Sequence, residues 1–278
     1  MLAFLLLQSF ISVPVLSYVA IEYLKITEKW CLDGKFHKSL PGPEDELHSQ
    51  CTPWKSFSCC THNISKTLHY GNLYNFDLNH CAHIKPMSMG CKRHFIQDSC
   101  FYECEPNVRP WAVRVNMTDR KERFYKVPLC QSDCEAWYRA CENDYTCAKN
   151  WVTDFKWGPG GNKCSNSKCI TFREMFQNSS KKFCEGIWDD AWEETDDTKP
   201  CMRIWFNGTF GNPNDEVAQI KLAEMGIGDT AMFFEPPEEE SSRFPWLTLS
   251  FCVLLLASAG GYYAYSRRDF NIFSLKCL

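Results

Sequence analysis

Of the chain's 18 cysteines, all but Cys252 and Cys277 fall between Cys31 and Cys201, which leaves 16 in one stretch. Such density belongs to domains folded where thiols oxidise, so the stretch reads as a disulfide framework in an extracellular domain. The even number leaves no obligatory free thiol. Zinc is the other common use of many cysteines. There is no Cys-x-x-Cys pair, however; the tight spacings are Cys59-Cys60, Cys100/Cys104 and Cys130/Cys134. No metal site is expected.

The ends of the chain agree with secretion. Residues 1–20 are almost continuously apolar and no acid occurs before Glu22, as in a signal peptide. Residues 246–265 form a second apolar run, long enough to cross the ~30 Å hydrocarbon layer as a helix. Trp246, Tyr262, Tyr263 and Tyr265 cluster at its ends, and Arg267 and Arg268 follow it. Aromatic ends and trailing arginines predict a type I single-pass protein with a short cytoplasmic tail, residues 266–278. The alternative is a GPI-attachment signal, with Ser241 and Ser242 as the attachment region. Residues 227–245 are acidic and Pro-bearing, and read as an exposed stalk.

Residues 25–226 then form one domain, with no fixed-period repeat. Four Asn-x-Ser/Thr sequons, at Asn63, Asn116, Asn178 and Asn207, are candidate glycosylation sites. Helices are expected over residues 90–104, from a capping box at Ser132-Asp-Cys-Glu135 to about Asp144, over 178–189 and over 213–225. Trp157-Gly-Pro-Gly-Gly161 reads as a turn between two extended pieces. The fold class is a compact, disulfide-rich α+β domain of short helices and short strands.

A net charge of −4 without basic runs argues against nucleic acid. No nucleophile-base pair or known catalytic motif frames the histidines and acids, so no enzyme is expected, and no cofactor. Aromatic residues make up 15% of the chain, and flat aromatic faces suit flat heteroaromatic ligands. The residues alone therefore lead to a secreted, disulfide-rich binder.

Longer words carry the reading further. Pro41-Gly-Pro-Glu-Asp-Glu-Leu-His48, Cys51-Thr-Pro-Trp54, Leu73-Tyr-Asn-Phe76, Cys91-Lys-Arg-His-Phe-Ile-Gln-Asp98, Cys100-Phe-Tyr-Glu-Cys104, Val127-Pro-Leu-Cys130 and Gly211-Asn-Pro-Asn214, with the cysteine run, resemble the folate receptor family. That family includes the egg riboflavin-binding proteins and the gamete receptor Juno. The resemblance implies eight disulfides: Cys31–Cys59, Cys51–Cys100, Cys60–Cys104, Cys81–Cys169, Cys91–Cys141, Cys130–Cys201, Cys134–Cys184 and Cys147–Cys164. It also implies a cell-surface receptor that binds folate or a related heterocyclic vitamin and can carry it inward. The alternatives are a riboflavin or other flat-ligand binder, or Juno-like recognition of a protein partner on another cell.

By the same resemblance, Tyr74 and Trp188 sandwich the ring, Asp98 accepts its N–H donors, Arg120 and Arg123 line the polar wall, and Phe76 and Trp157 supply outer aromatics. Departures concentrate at the tail end of the site. Leu78 and Asp119 stand where folate receptors carry Trp, Val152-Thr-Asp-Phe155 replaces a His-Lys-Gly-Trp loop, and at the ring end Ala191 replaces a Ser that helps bind the pterin. The resemblance thus implies a ring slot largely kept and a tail pocket altered.

Overall fold

The computed structural model describes residues 29–165 and 168–226. The expected signal peptide, stalk, membrane span and tail lie outside the described residues. Among the described residues, no helix is long and apolar enough to cross a membrane.

One helix organises the rest. Met89–Cys104 (α2) follows a short helix, His62–Tyr70 (α1). Ser88 caps α2 by accepting from the Cys91 N–H, and the Asp144 carboxylate in turn accepts from the Ser88 N–H and hydroxyl. Buried positions run right round α2: Cys91, Phe95, Ile96, Gln97, Asp98, Cys100, Phe101, Glu103 and Cys104. A helix covered on every face is a central helix, not a surface one. Three disulfides staple it, through Cys91–Cys141, Cys51–Cys100 and Cys60–Cys104. The remaining bridges are Cys31–Cys59, Cys81–Cys169, Cys130–Cys201, Cys134–Cys184 and Cys147–Cys164. These are the eight pairs that the family resemblance implies.

Four further helices follow: Gln131–Cys141 (α3), Phe172–Met175 (α4), Ser180–Ile187 (α5) and Asn214–Glu224 (α6). The strands are Ala112–Arg114 (β1), Glu122–Phe124 (β2), Val127–Cys130 (β3), Tyr145–Thr146 (β4), Phe155–Gly158 (β5), Gly161–Cys164 (β6), Ile170–Thr171 (β7) and Trp192–Thr195 (β8). They pair two by two. β1–β2, β4–β7 and β5–β6 are antiparallel and β3–β8 is parallel. Isolated ribbons this short are not stable alone. Here bridges such as Cys130–Cys201 and Cys147–Cys164 hold them to the body.

The expected turn at residues 157–161 joins β5 to β6, as anticipated. The capping box at Ser132 does not form. Helix α3 begins at Gln131, and Ser132 sits inside its first turn. The Ser132 N–H donates to Asp197 Oδ1 at 3.0 Å, so an acid remote in sequence supplies the acceptor. The helix also stops at Cys141 and does not reach Asp144, whose carboxylate is committed to Ser88.

Aromatic side chains fill the interior against α2. Phe95 stacks on Trp151 with centroids 4.6 Å apart, and Trp137 and Phe183 meet it edge-on. Such pairs add ~0.5–1.5 kcal/mol each beyond burial. The C-terminal segment is fastened differently. Buried Glu105 accepts hydrogen bonds from the indole of Trp54 and from the amides of Asn107, Asn212 and Asn214. Lys29 pairs with Asp215 at 2.9 Å.

Candidate functional site

Asp98 lies in the middle of α2, and its neighbours make it the electrostatic centre of the candidate site. It is 4% exposed. Trp192, at the start of β8, donates its indole N–H to Asp98 Oδ1 at 2.9 Å. Burial disfavours the charge and pushes this carboxyl up to about 7, against the pull of the Trp192 and Trp188 indoles. The Trp188 indole favours the carboxylate electrostatically, yet its buried Nε1–H makes no hydrogen bond of good geometry. An indole N–H that meets a buried carboxylate only in poor geometry is a place where a ligand's polar edge gains a bond.

Trp188 ends α5, and two residues with positive φ, Asp189 and Asp190, turn the chain sharply after it. Arg123 on β2 fixes that turn. It donates to Trp188 O at 3.1 Å and to Asp189 O at 2.7 Å, and pairs with the Asp189 carboxylate at 3.0 Å. The expectation that Arg123 lines a polar wall is thus refined: much of its guanidinium holds the backbone that presents Trp188.

Phe76 packs on the Trp188 ring at 5.8 Å and on Trp157 at 5.9 Å. Trp157, on β5, is half exposed and forms the outer rim. The loop carrying Tyr74 and Phe76 is stitched to the β5–β6 hairpin. Asp77 N–H donates to Asn162 Oδ1 at 2.6 Å, and Asn75 Nδ2 donates to Pro159 O at 3.2 Å. Gly161 makes this possible. Its φ is +86°, and a Cβ there would lie 2.3 Å from Asn75 O.

Tyr74 and Arg120 belong to an adjoining cluster. The Tyr74 backbone is left-handed, at φ 58°, which a bulky residue rarely adopts. Its hydroxyl donates to Glu103 Oε1 at 2.8 Å, and its ring packs edge-on against Phe36 at 4.7 Å. Burial and the Glu103 charge push that hydroxyl's pKa up. Arg120 donates to the Tyr102 hydroxyl at 3.0 Å. The structure therefore brings Asp98, Phe76, Trp157, Trp188 and Arg123 together, and links Tyr74 and Arg120 to them through neighbouring residues of α2.

Sequence reasoning missed Trp192, Glu103 and His37. Glu103 had a usable signal: it lies three residues after Cys100 and one before Cys104, both of which face inward on the same helix.

The altered loop lines a polar hollow of about 320 Å³ with Lys149, Asn150, Thr153, Asp154, Gly186, Asp189 and Asp190. Phe155 instead turns inward and is buried. Leu78 packs against the core, Ala191 is buried and Asp119 is exposed, pairing with Lys35 at 3.8 Å. The sulfurs of Cys81, Cys147, Cys164 and Cys169 lie within 4.8 Å of one another, and all four are consumed by two adjacent disulfides. All four sequon asparagines are exposed.

Comparison with known proteins gives a consistent set. A family model described as the folate receptor family matches residues 30–203. Human folate receptor gamma is 44% identical over 204 residues, covering 71% of this chain and 82% of that protein. Human folate receptor alpha is 42% identical over 208 residues, covering 72% of this chain and 79% of its own length. The riboflavin-binding protein of Gallus gallus is 30% identical over 174 residues, covering 63% of this chain and 71% of that protein.

Proposed function

Because this chain belongs to the folate receptor family, we propose that it is a cell-surface receptor that binds folate through its heterocyclic ring. The observation that carries this reading is Asp98. A buried carboxylate on the central helix, bonded by Trp192 and met by the Trp188 indole N–H only in poor geometry, is built to meet a ligand edge that offers donors and acceptors together. Phe76 and Trp188 supply ring faces beside it, Tyr74 stands in the adjoining cluster, and Arg123 holds Trp188 in place. The apolar run of residues 246–265 supplies the membrane attachment in this reading, as a span or as a GPI signal.

The tail of folate is anionic. An anionic tail leaving the ring site past Asp189 meets Asp154 and Asp190 against Lys149, with the Asp189 charge already paired by Arg123, so little affinity comes from that end. Tight binding then depends on the ring slot alone.

The test is a titration of the purified full chain with folic acid and with riboflavin, followed by tryptophan fluorescence. Saturable quenching by folic acid, lost in Asp98→Ala, is expected. Quenching by riboflavin alone moves the assignment to a flavin carrier. With the disulfides intact, no response to either makes a protein partner the function of this surface.

A further inference from the structure

Beneath Tyr74 lies a pair of buried titratable groups that the ring site does not itself use. The side chains of His37 and Glu103 are each 1% exposed, and His37 Nδ1 lies 3.6 Å from Glu103 Oε2. Neither of these two atoms has a hydrogen-bond partner. The other atom of each group is committed. His37 Nε2 lies 3.0 Å from the Tyr102 carbonyl oxygen, which can only accept, so Nε2 carries a hydrogen. Glu103 Oε1 accepts from the Tyr74 hydroxyl at 2.8 Å.

Proton counting follows from these contacts. A neutral imidazole protonated at Nε2 presents only a lone pair at Nδ1. An ionised Glu103 presents only lone pairs at Oε2. Two buried acceptors facing each other are repulsive, and each is left unsatisfied. One added proton between Nδ1 and Oε2 makes the contact attractive, and the pair then closes from 3.6 Å to hydrogen-bond distance, which satisfies both. Around the pair, the Tyr74 hydroxyl and the Arg120 guanidinium act on Glu103, and the Arg120 and Arg123 guanidinium groups act on its neighbour Tyr102.

Tyr74 needs such an anchor. Its left-handed backbone is one that a large side chain holds only when the surroundings fix it. Phe36 flanks the ring on one side and Glu103 grips the hydroxyl on the other. We propose that Glu103 and His37 share one proton, and that Glu103, set by this pair, is the positioning residue that aims the Tyr74 ring into the slot. The proposal rests on the ligand-site reading above, but the proton pair can be tested without a ligand.

Four full-length variants test it. Tyr74→Phe keeps the ring and deletes the anchored hydroxyl; about a 10-fold loss of folate affinity is expected. Glu103→Met should lose a similar factor, and the double variant no more than either alone, because both remove the same contact. Glu103→Gln is the rescue. Its amide oxygen accepts from Tyr74 and its amide N–H donates to a neutral His37, so affinity stays within about 3-fold of wild type.

Multiplying losses, a wild-type affinity in Tyr74→Phe, or a Glu103→Gln as weak as Glu103→Met each overturn the positioning role. The ligand-free readout is proton NMR of the imidazole-labelled protein. A strongly downfield Nδ1/Oε2 proton should appear in wild type and vanish in both Glu103→Gln and His37→Gln. Its absence from wild type overturns the shared proton even if no ligand binds, whereas its presence in a protein that binds no folate overturns only the ligand assignment.

Discussion

Lowering the pH from about 7.4 to about 5.5 should weaken folate binding by about 20-fold, and Asp98 sets the size of the effect. A donor-bearing ring binds the carboxylate and not the acid. Burial holds the empty site's carboxyl at about 7. With that midpoint, about 70% of the sites are ionised at the higher pH and about 3% at the lower. The ratio is about 20-fold, or about 1.8 kcal/mol of binding energy. In Asp98→Asn, affinity should be low and level across the same range. Asparagine can still accept from Trp192 but holds no charge for the ring donors. The same variant tests the cost of the anchor to the empty fold. Asp98 has a folded pKa raised above its unfolded value of ~3.9, so the protein is unpenalised below about pH 4 and loses stability as pH rises through about 7. Three units correspond to about 4 kcal/mol, the indole bonds of Trp192 and Trp188 being already counted in that shift. Asp98→Asn should therefore melt about 8–16 °C higher than wild type at about pH 8, with the gap closing near pH 4. Fluorescence titration and thermal scans of the full chain read both quantities. Wild-type affinity that is level over this range, together with an Asp98→Asn protein no more stable at pH 8, would refute the reasoning.

Gly161→Ala should weaken ligand binding at least 10-fold while leaving most of the fold, since a Cβ there collides with Asn75 O and pushes the Tyr74–Phe76 loop off the β5–β6 hairpin; titration with a melting scan checks it. Replacing Cys81 and Cys169 by alanine opens a loop of separation 88 and should cost about 4–5 kcal/mol, against about 3 for the Cys147/Cys164 pair of separation 17. Denaturant midpoints of the two double variants should fall in that order.

Much of this arrangement is legible in the chain because cysteine spacing and short words such as Cys100-Phe-Tyr-Glu-Cys104 are local marks of a global framework. Asp98, Trp188 and Phe76 could be named as site residues on that basis. Roles that depend on contacts between distant segments could not. His37 and Glu103 meet across the fold, and no periodicity announces that two buried polar groups will face each other. The family resemblance puts Arg123 on a ligand wall; its use in holding the Trp188–Asp189 turn appears only once β2 lies beside the end of α5. The capping box at Ser132 failed for a related reason: a better-placed acceptor, Asp197, came from another part of the chain.

The way α6 is fastened gives the domain a weak joint of defined position. No cysteine follows Cys201 until Cys252. A pull on the chain beyond Gly226 is therefore borne first by the Glu105 bonds to Asn212 and Asn214 and by the Lys29–Asp215 pair. The covalent cross-links take the load only after these have parted and α6 has peeled away. Asp98, Trp188 and Tyr74 all precede Cys201 in the chain, so the ligand slot sits on the locked side of that joint. Tension would unseat α6 before it reached the site.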